Sequence, residues 1–351
     1  MARLTQAARL PEGRYAHPAP ARELTVTSPD GSKLHVEVHG RADDPAVVLA
    51  HGWTCSTLFW APVIRRLTAD GHRVVVYDQR GHGRSPAATT YAYSPASLAD
   101  DLCAVLDAAL EPGERAVIGG HSMGGMTIMA AAGRRQLTER AAALMLCSTG
   151  SARLLGESRI LPFRSLRARS VGHRLLLGSR APLGPVTPLT KRALKYGTLG
   201  PGASAEQTEV VARIVHACPS GVRAAWGAVL ADLDLSAKIS GLAAPTAVVV
   251  GTADRLTPVV HARELCDALP DCVGMHELTG LGHMTPTEAP EAVSDVLSGL
   301  VRDHLVGGAD EDAGADGTAG AAGTEGAGAN GKGATAKKAN AKAKKDREAR
   351  A

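Results

Sequence analysis

Three residues of this chain have the types and settings that could carry acyl transfer: Ser122, Asp254 and His283. Ser122 lies in Gly120-His121-Ser122-Met123-Gly124, directly after Arg115-Ala116-Val117-Ile118-Gly119. A buried strand that breaks at Gly-x-Ser-x-Gly and turns straight into a helix presents its serine on a sharp, strained bend. The glycines have a steric role there, because strand and helix must approach without side-chain bulk. Met126-Thr127-Ile128-Met129-Ala130-Ala131-Ala132 supplies the helix. In a chain with 39 glycines the motif alone is weak, and its weight comes from what surrounds it.

A serine nucleophile needs a base for its proton, a carboxylate to orient that base, and donors for the oxyanion. His283, in Gly280-Leu281-Gly282-His283-Met284, is the candidate base, on a glycine-rich loop after the last strand. Asp254, in Gly251-Thr252-Ala253-Asp254, is the candidate carboxylate, just after the preceding strand, and Thr257-Pro258 caps the next helix. Asp232 and Asp234 are rivals, but they precede that strand, where capping or solvation suits them better. Two backbone N–H groups are candidates for the oxyanion hole. One is Met123, where the helix dipole favours an anion, and the other is Trp53 in His51-Gly52-Trp53. With aromatic residues at only 3%, the indoles of Trp53 and Trp226 stand out as substrate-binding candidates, with Leu175, Leu176 and Leu177 as further wall residues. His51, His82 and His121 suit packing and hydrogen bonding, and Asp78 suits bonding to the N–H groups of the turn after it.

These residues need a frame that brings several strand ends to one rim. Glu23 to Thr27 and Lys33 to Val38 alternate around Pro29-Asp30-Gly31, a hairpin pattern. Ala46 to Ala50 is continuously apolar, as a buried central strand is. A helix from about Phe59 to Ala69, a strand at Val74 to Tyr77 and a helix opened by Ser94-Pro95 follow. Then come the strand before Ser122, its helix, and a strand at Ala142 to Cys147. The alternation stops near Ser151 and resumes with strands at Thr246 to Gly251 and Val273 to Leu278. These are separated by a helix from Pro258 to Leu269 and followed by one from about Glu288 to His304. Alternating strands and helices predict a largely parallel sheet covered on both faces. The helical, strandless stretch at about 151–240 reads as a cap over the sheet edge.

At 351 residues and 44% hydrophobic, the chain can build a full core. Residues 1–21, rich in Ala, Arg and Pro, read as a flexible arm without a secretion signal. From residue 307 the composition collapses to Ala, Gly, Thr, Asp, Glu and Lys, too poor in apolar side chains to offset ordering, so 307–351 reads as a disordered tail. Its lysines lack interleaved aromatics, so no specific nucleic-acid binding is expected. No apolar stretch is long enough to span a membrane. The six cysteines lack metal-type spacing, Cys147 in a strand and Cys103 in a helix suit small buried thiols, and a reduced cytoplasmic setting fits best. The net charge of +4 is small, but from Arg159 to Lys195 nine basic residues occur without an acidic one. That run suits either peripheral contact with lipid headgroups or an acyl carrier, or a solvated face paired with carboxylates elsewhere.

The chain resembles the α/β-hydrolase superfamily over about residues 23–305. The motifs that carry the resemblance are His51-Gly52-Trp53, Asp78-Gln79-Arg80-Gly81-His82-Gly83-Arg84-Ser85, the bend at Ser122, Asp254 and His283. The resemblance implies a mostly parallel eight-stranded doubly wound α/β sheet with an inserted helical cap, spanning 22–306. It also implies a triad in the chain order Ser122, Asp254, His283, of the serine esterase, haloperoxidase-like or C–C hydrolase branches. A serine at the bend, where dehalogenases and epoxide hydrolases carry aspartate, argues against those two. The implied activity is hydrolysis of a carboxylic ester or lactone of a hydrophobic small molecule or lipid through an acyl-enzyme on Ser122, with no metal or organic cofactor needed. Acyl transfer or perhydrolysis with the same triad is the alternative, and a non-catalytic ligand-binding protein of this fold is the second. Sequence leaves the oligomeric state open.

Overall fold

The computed structural model describes residues 13–88, 92–161 and 165–306. Residues 1–12 of the arm and the whole 307–351 tail lie outside the described residues. The hairpin forms as β1 (Arg22–Thr27) and β2 (Lys33–His39), antiparallel, with Gly31 at φ +85° in the turn. β3 (Ala46–Ala50), β4 (Arg73–Tyr77), β5 (Ala116–His121), β6 (Ala141–Cys147), β7 (Thr246–Gly251) and β8 (Cys272–Leu278) complete one eight-stranded sheet. Its order is β1-β2-β4-β3-β5-β6-β7-β8, with β2 antiparallel to both neighbours and every later pairing parallel.

Alternation along the strands divides the core in two. Val48, Val75, Ile118 and Leu144 face one side, and Val47, Leu49, Val74, Val76 and Val117 face the other. The helices before the cap are α1 (Ala61–Ala69), α2 (Pro95–Ala109), α3 (Met123–Ala130) and α4 (Arg135–Arg140). Ser94 opens α2 with a reciprocal cap: its hydroxyl accepts the Ser97 N–H at 3.1 Å, and Ser97 Oγ accepts the Ser94 N–H at 2.9 Å. Five helices then fill the insertion: α5 (Leu154–Glu157), α6 (Leu166–Leu177), α7 (Pro188–Thr198), α8 (Ala205–Ala217) and α9 (Ser220–Ala231). After β7 come α10 (Val259–Ala268), α11 (Thr285–Glu288) and α12 (Pro290–Val301). The final helix therefore starts at Pro290, slightly later than predicted, with the proline at its first position, and a separate single turn, α11, precedes it. No helix among the described residues is long and apolar enough to cross a membrane.

Two expectations fail for identifiable reasons. Residues 13–21 are held down: Tyr15 is 2% exposed, its hydroxyl donates to the Thr287 carbonyl at 3.1 Å, and Arg65 donates twice to the Ala16 carbonyl. One aromatic anchor outweighs a loop-like composition. The cysteines are not all thiols either. Cys266 at the end of α10 bonds Cys272 at the start of β8, with their Cα atoms 5.4 Å apart. Cys55, Cys103, Cys147 and Cys218 are free and buried, and burial pushes the Cys147 thiol up to about 12.

In the cap, Leu175 and Leu176 are 72% and 54% exposed, so they form an outer surface and no inner wall. Part of the basic run finds carboxylates: Arg174 pairs with Asp232, and Lys191 with Glu209 at 3.0 Å.

Candidate active site

β5 ends at His121 and α3 begins at Met123, so Ser122 makes the whole turn. Its backbone sits at φ +53°, ψ −116°, a conformation that costs a non-glycine residue about 1–3 kcal/mol. Its N–H donates to the Cys147 carbonyl at 2.9 Å, and its carbonyl accepts from the Met126 N–H at 3.2 Å and the Thr149 hydroxyl at 2.8 Å. The motif glycines are needed where they stand. A Cβ on Gly120 would lie 2.3 Å from the Gly124 carbonyl oxygen, and one on Gly124 would lie 2.0 Å from that of Ala50.

Asp254 and His283 follow β7 and β8 and are both buried. Asp254 Oδ1 accepts the N–H groups of Leu256 and Thr257 at 2.8 and 2.9 Å. Its Oδ2 accepts the Thr257 hydroxyl at 2.9 Å and His283 Nδ1–H at 2.8 Å. The carboxylate is thus saturated by donors that leave room for one imidazole. That bond places the His283 proton on Nδ1 and leaves Nε2 with a lone pair, as a general base requires. Asp232 and Asp234 are excluded by position: one pairs with Arg174 and the other accepts the Ser236 N–H at the surface.

His121 joins the serine turn to the histidine loop. Its Nε2–H donates to the His283 carbonyl at 2.8 Å, and the two rings lie 5.0 Å apart. Burial, followed by the proximity of His283, holds the His121 pKa well below the ordinary value, so the ring is neutral. Asp254 and His283 are therefore hydrogen-bonded, and Ser122 is the immediate chain neighbour of a residue bonded to His283. Among the described residues the Ser122 hydroxyl itself makes no hydrogen bond to His283. Such contacts are often open in ligand-free enzymes and tighten when substrate binds.

The loop after β3 lies against the serine. A Cβ on Gly52 would come 3.1 Å from Ser122 Cβ, which sets Trp53 beside the turn. Met123 opens α3, where backbone N–H groups have no partner within the helix. The Trp53 indole N–H donates to the Arg223 carbonyl in α9 at 3.0 Å. Trp226 differs from the expectation. It is fully buried, its N–H donates to the Arg80 carbonyl at 3.1 Å, and its ring meets Tyr93 edge-on, so it fastens the cap to the loop after β4.

Beneath the rim, Asp78 accepts N–H groups from Thr57 and Arg84 at 2.8 and 2.7 Å, and burial raises its carboxyl to about 6. Gly83, at φ +50°, leaves the space that this carboxylate fills. His51 donates Nδ1–H to the Gly52 carbonyl and accepts the Gln79 N–H at Nε2, and His82 Nε2 accepts the Thr54 N–H. Burial lowers these two imidazoles to about 3 and about 4.

Sequence reasoning overlooked Thr257 as a second ligand of Asp254, though a threonine three residues after an aspartate is the usual signal for such a turn. It also overlooked Glu288, which accepts the N–H groups of Gly200 at 2.7 Å and Gly282 at 3.0 Å. Gly282 itself is pressed against the cap: a Cβ there would lie 2.3 Å from the Leu199 carbonyl carbon. The N–H groups of His283 and Met284 both donate to the Thr198 carbonyl.

An elbow serine after the fifth strand, followed by a carboxylate and a histidine at later strand ends, defines a hydrolase class, and comparison with known proteins agrees. The sequence profile described as "Alpha/beta hydrolase family" matches residues 47–296, and the chain belongs to that family. It is 34% identical over 279 residues to RutD of Variovorax paradoxus, described as a carbamate hydrolase, covering 77% of this chain and 96% of that protein. An esterase from Thermogutta terrifontis superposes with a TM-score of 0.66 at 24% identity, over 81% of this chain and 100% of its own. The esterase EaEST from Exiguobacterium antarcticum gives 0.68 at 18% identity, over 80% and 100%. These two likenesses establish the shared fold.

Proposed function

We propose that this hydrolase cleaves a carboxylic ester or lactone of a hydrophobic small molecule or lipid through an acyl-enzyme on Ser122. The observation that carries the reading is the Nδ1–Asp254 bond, which commits the free nitrogen of His283 to base duty beside the serine turn. His283 Nε2 takes the Ser122 hydroxyl proton as Oγ attacks the carbonyl carbon. Asp254 stabilises the imidazolium without taking its proton, and the Trp53 and Met123 N–H groups receive the oxyanion. His283 then protonates the leaving alkoxide. Water, deprotonated by the same nitrogen, attacks the acyl-enzyme, and the proton returns to Ser122 as the acid departs. No metal or organic cofactor takes part. The exposed leucines of α6 support presentation of an apolar substrate at a lipid surface.

A second reading, hydrolysis of a carbamate by the same residues, rests on the likeness to RutD. A chromogenic panel separates the two: acyl esters of graded chain length, lactones and an aryl carbamate, each with water alone and with peroxide or alcohol as acceptor. Wild type is expected to favour esters, and Ser122→Ala to lose at least ~10³-fold in turnover and all labelling by a fluorophosphonate. A Ser122→Ala protein as active as wild type would end the mechanism. Preference for the carbamate would replace the substrate class and leave the residues in place.

A further inference from the structure

Along β2, His35, Glu37 and His39 alternate with Leu34, Val36 and Val38. The apolar set enters one core, so the period of two gathers both histidines and the glutamate on the opposite face. That face is covered: Glu37 is 3% and His39 2% exposed, and the held arm lays His17 over them. Two imidazoles converge on one carboxylate oxygen. His17 Nε2 lies 2.6 Å and His39 Nε2 3.3 Å from Glu37 Oε2. The other oxygen serves His35 Nε2 at 2.9 Å and the Thr57 hydroxyl at 3.5 Å. One ligand atom from each of His17, Glu37 and His39 lies within 4.8 Å of the other two. Donors about 2.0–2.2 Å from a tetrahedral metal stand roughly 3.3 Å apart, the present His39–Glu37 separation, so a small opening of the His17–Glu37 edge makes a coordination triangle.

We propose that His17, Glu37 and His39 form a binding site for a divalent transition metal of the zinc class, separate from Ser122, and that the ion clamps the N-terminal arm to the sheet. Two imidazoles and one carboxylate are the donor set such ions take, and a fourth position stays open to water. To bind, each imidazole presents its Nε2 lone pair and carries its proton on Nδ1. A neighbouring set, Glu23, His35 and Glu37, shares the same glutamate. There Arg84 already occupies both oxygens of Glu23 at 2.8 Å, which leaves the His17 set as the site. Nδ1 of His17 and of His39 is enclosed without a partner, so the outer hydrogen bonds that tighten zinc sites are missing and affinity falls below that of a closed structural zinc.

The test uses the full chain, stripped with chelator and dialysed, then titrated with zinc chloride by calorimetry and with cobalt(II) by visible absorption. One zinc equivalent should bind, raise the melting temperature and slow tryptic cleavage after Arg14. His17→Gln and His39→Gln should each weaken binding at least roughly tenfold and lose the thermal shift. His17→Gln changes only the arm, so it reports on the site even if His39→Gln fails to fold. The proposal is overturned if stripped wild type binds no zinc, or if His17→Gln binds it unchanged. It is also overturned if cobalt shows a thiolate charge-transfer band, which would put the ion on cysteine.

Discussion

Asp254 and Glu37 are both buried carboxylates bonded to histidine, and they do different things. Asp254 spends three of its bonds on two backbone N–H groups and the Thr257 hydroxyl, and keeps one for His283. Glu37 accepts no backbone N–H among the described residues and is shared by three imidazoles. Backbone donors cannot move, so the first carboxylate fixes one ring in one tautomer. Side-chain donors can, so the second is a cradle, and two of its rings, His17 and His39, enclose an Nδ1 without a partner. What surrounds the carboxylate therefore decides whether a His–carboxylate contact is a poised proton carrier or a polydentate holder.

The sharpest way to break this contrast is to neutralise each acid. Asp254→Asn should lower kcat by roughly 10⁴ by upsetting the tautomer, while its denaturation midpoint shifts by less than about 1 kcal/mol. Glu37→Gln should instead lower stability by about 2–4 kcal/mol, because three buried imidazoles lose their anion. Urea titrations of both variants read this, and equal stability losses would dissolve the distinction.

Acid separates the two regions in pH. His51 and His82 sit near about 3 and about 4 when folded, against an ordinary value near 6.5. The unfolded chain therefore takes up protons first, and stability falls as pH drops below about 6.5, by about 2 kcal/mol for each ring between pH 7 and 5, or about 4 kcal/mol for the pair. Glu37 is depressed, so its contribution is intact above 4.5 and is lost only as pH falls further. Denaturation midpoints at pH 7, 5 and 4 should fall throughout, with Glu37 adding to the loss below about 4.5, and a flat profile from 7 to 5 would contradict the neutral imidazoles. The smallest effect is expected from Thr257→Val. With its backbone N–H retained, it should cost kcat about tenfold through loss of one hydroxyl bond to Asp254.

The placement of Ser122, Asp254 and His283 at strand ends was readable because each follows an apolar strand run and because glycines mark where bulk is forbidden. Strands β3 to β7 were readable because their burial is written in continuous apolar runs. Features that depend on what the chain later covers were not. The His35–Glu37–His39 face reads as the wet side of a hairpin until the arm folds over it, and the arm looks loose until Tyr15 finds the core. Cys266 and Cys272 flank an ordinary helix-to-strand turn, and only the geometry of that turn pairs them. Trp226 was legible as important, but its satisfied N–H and its enclosure, not its type, set its role.

The seam of Thr198, Gly200, Gly282 and Glu288 has a practical corollary for anyone reshaping this enzyme. The middle of the lid and the loop bearing the His283 imidazole are stitched into one piece, so a chimera cut there would drag that ring out of register. Upstream, the Arg255 guanidinium holds the Tyr196 carbonyl and the Arg255 carbonyl takes the Arg159 N–H, so a borrowed lid must keep those bonds beside Asp254 as well.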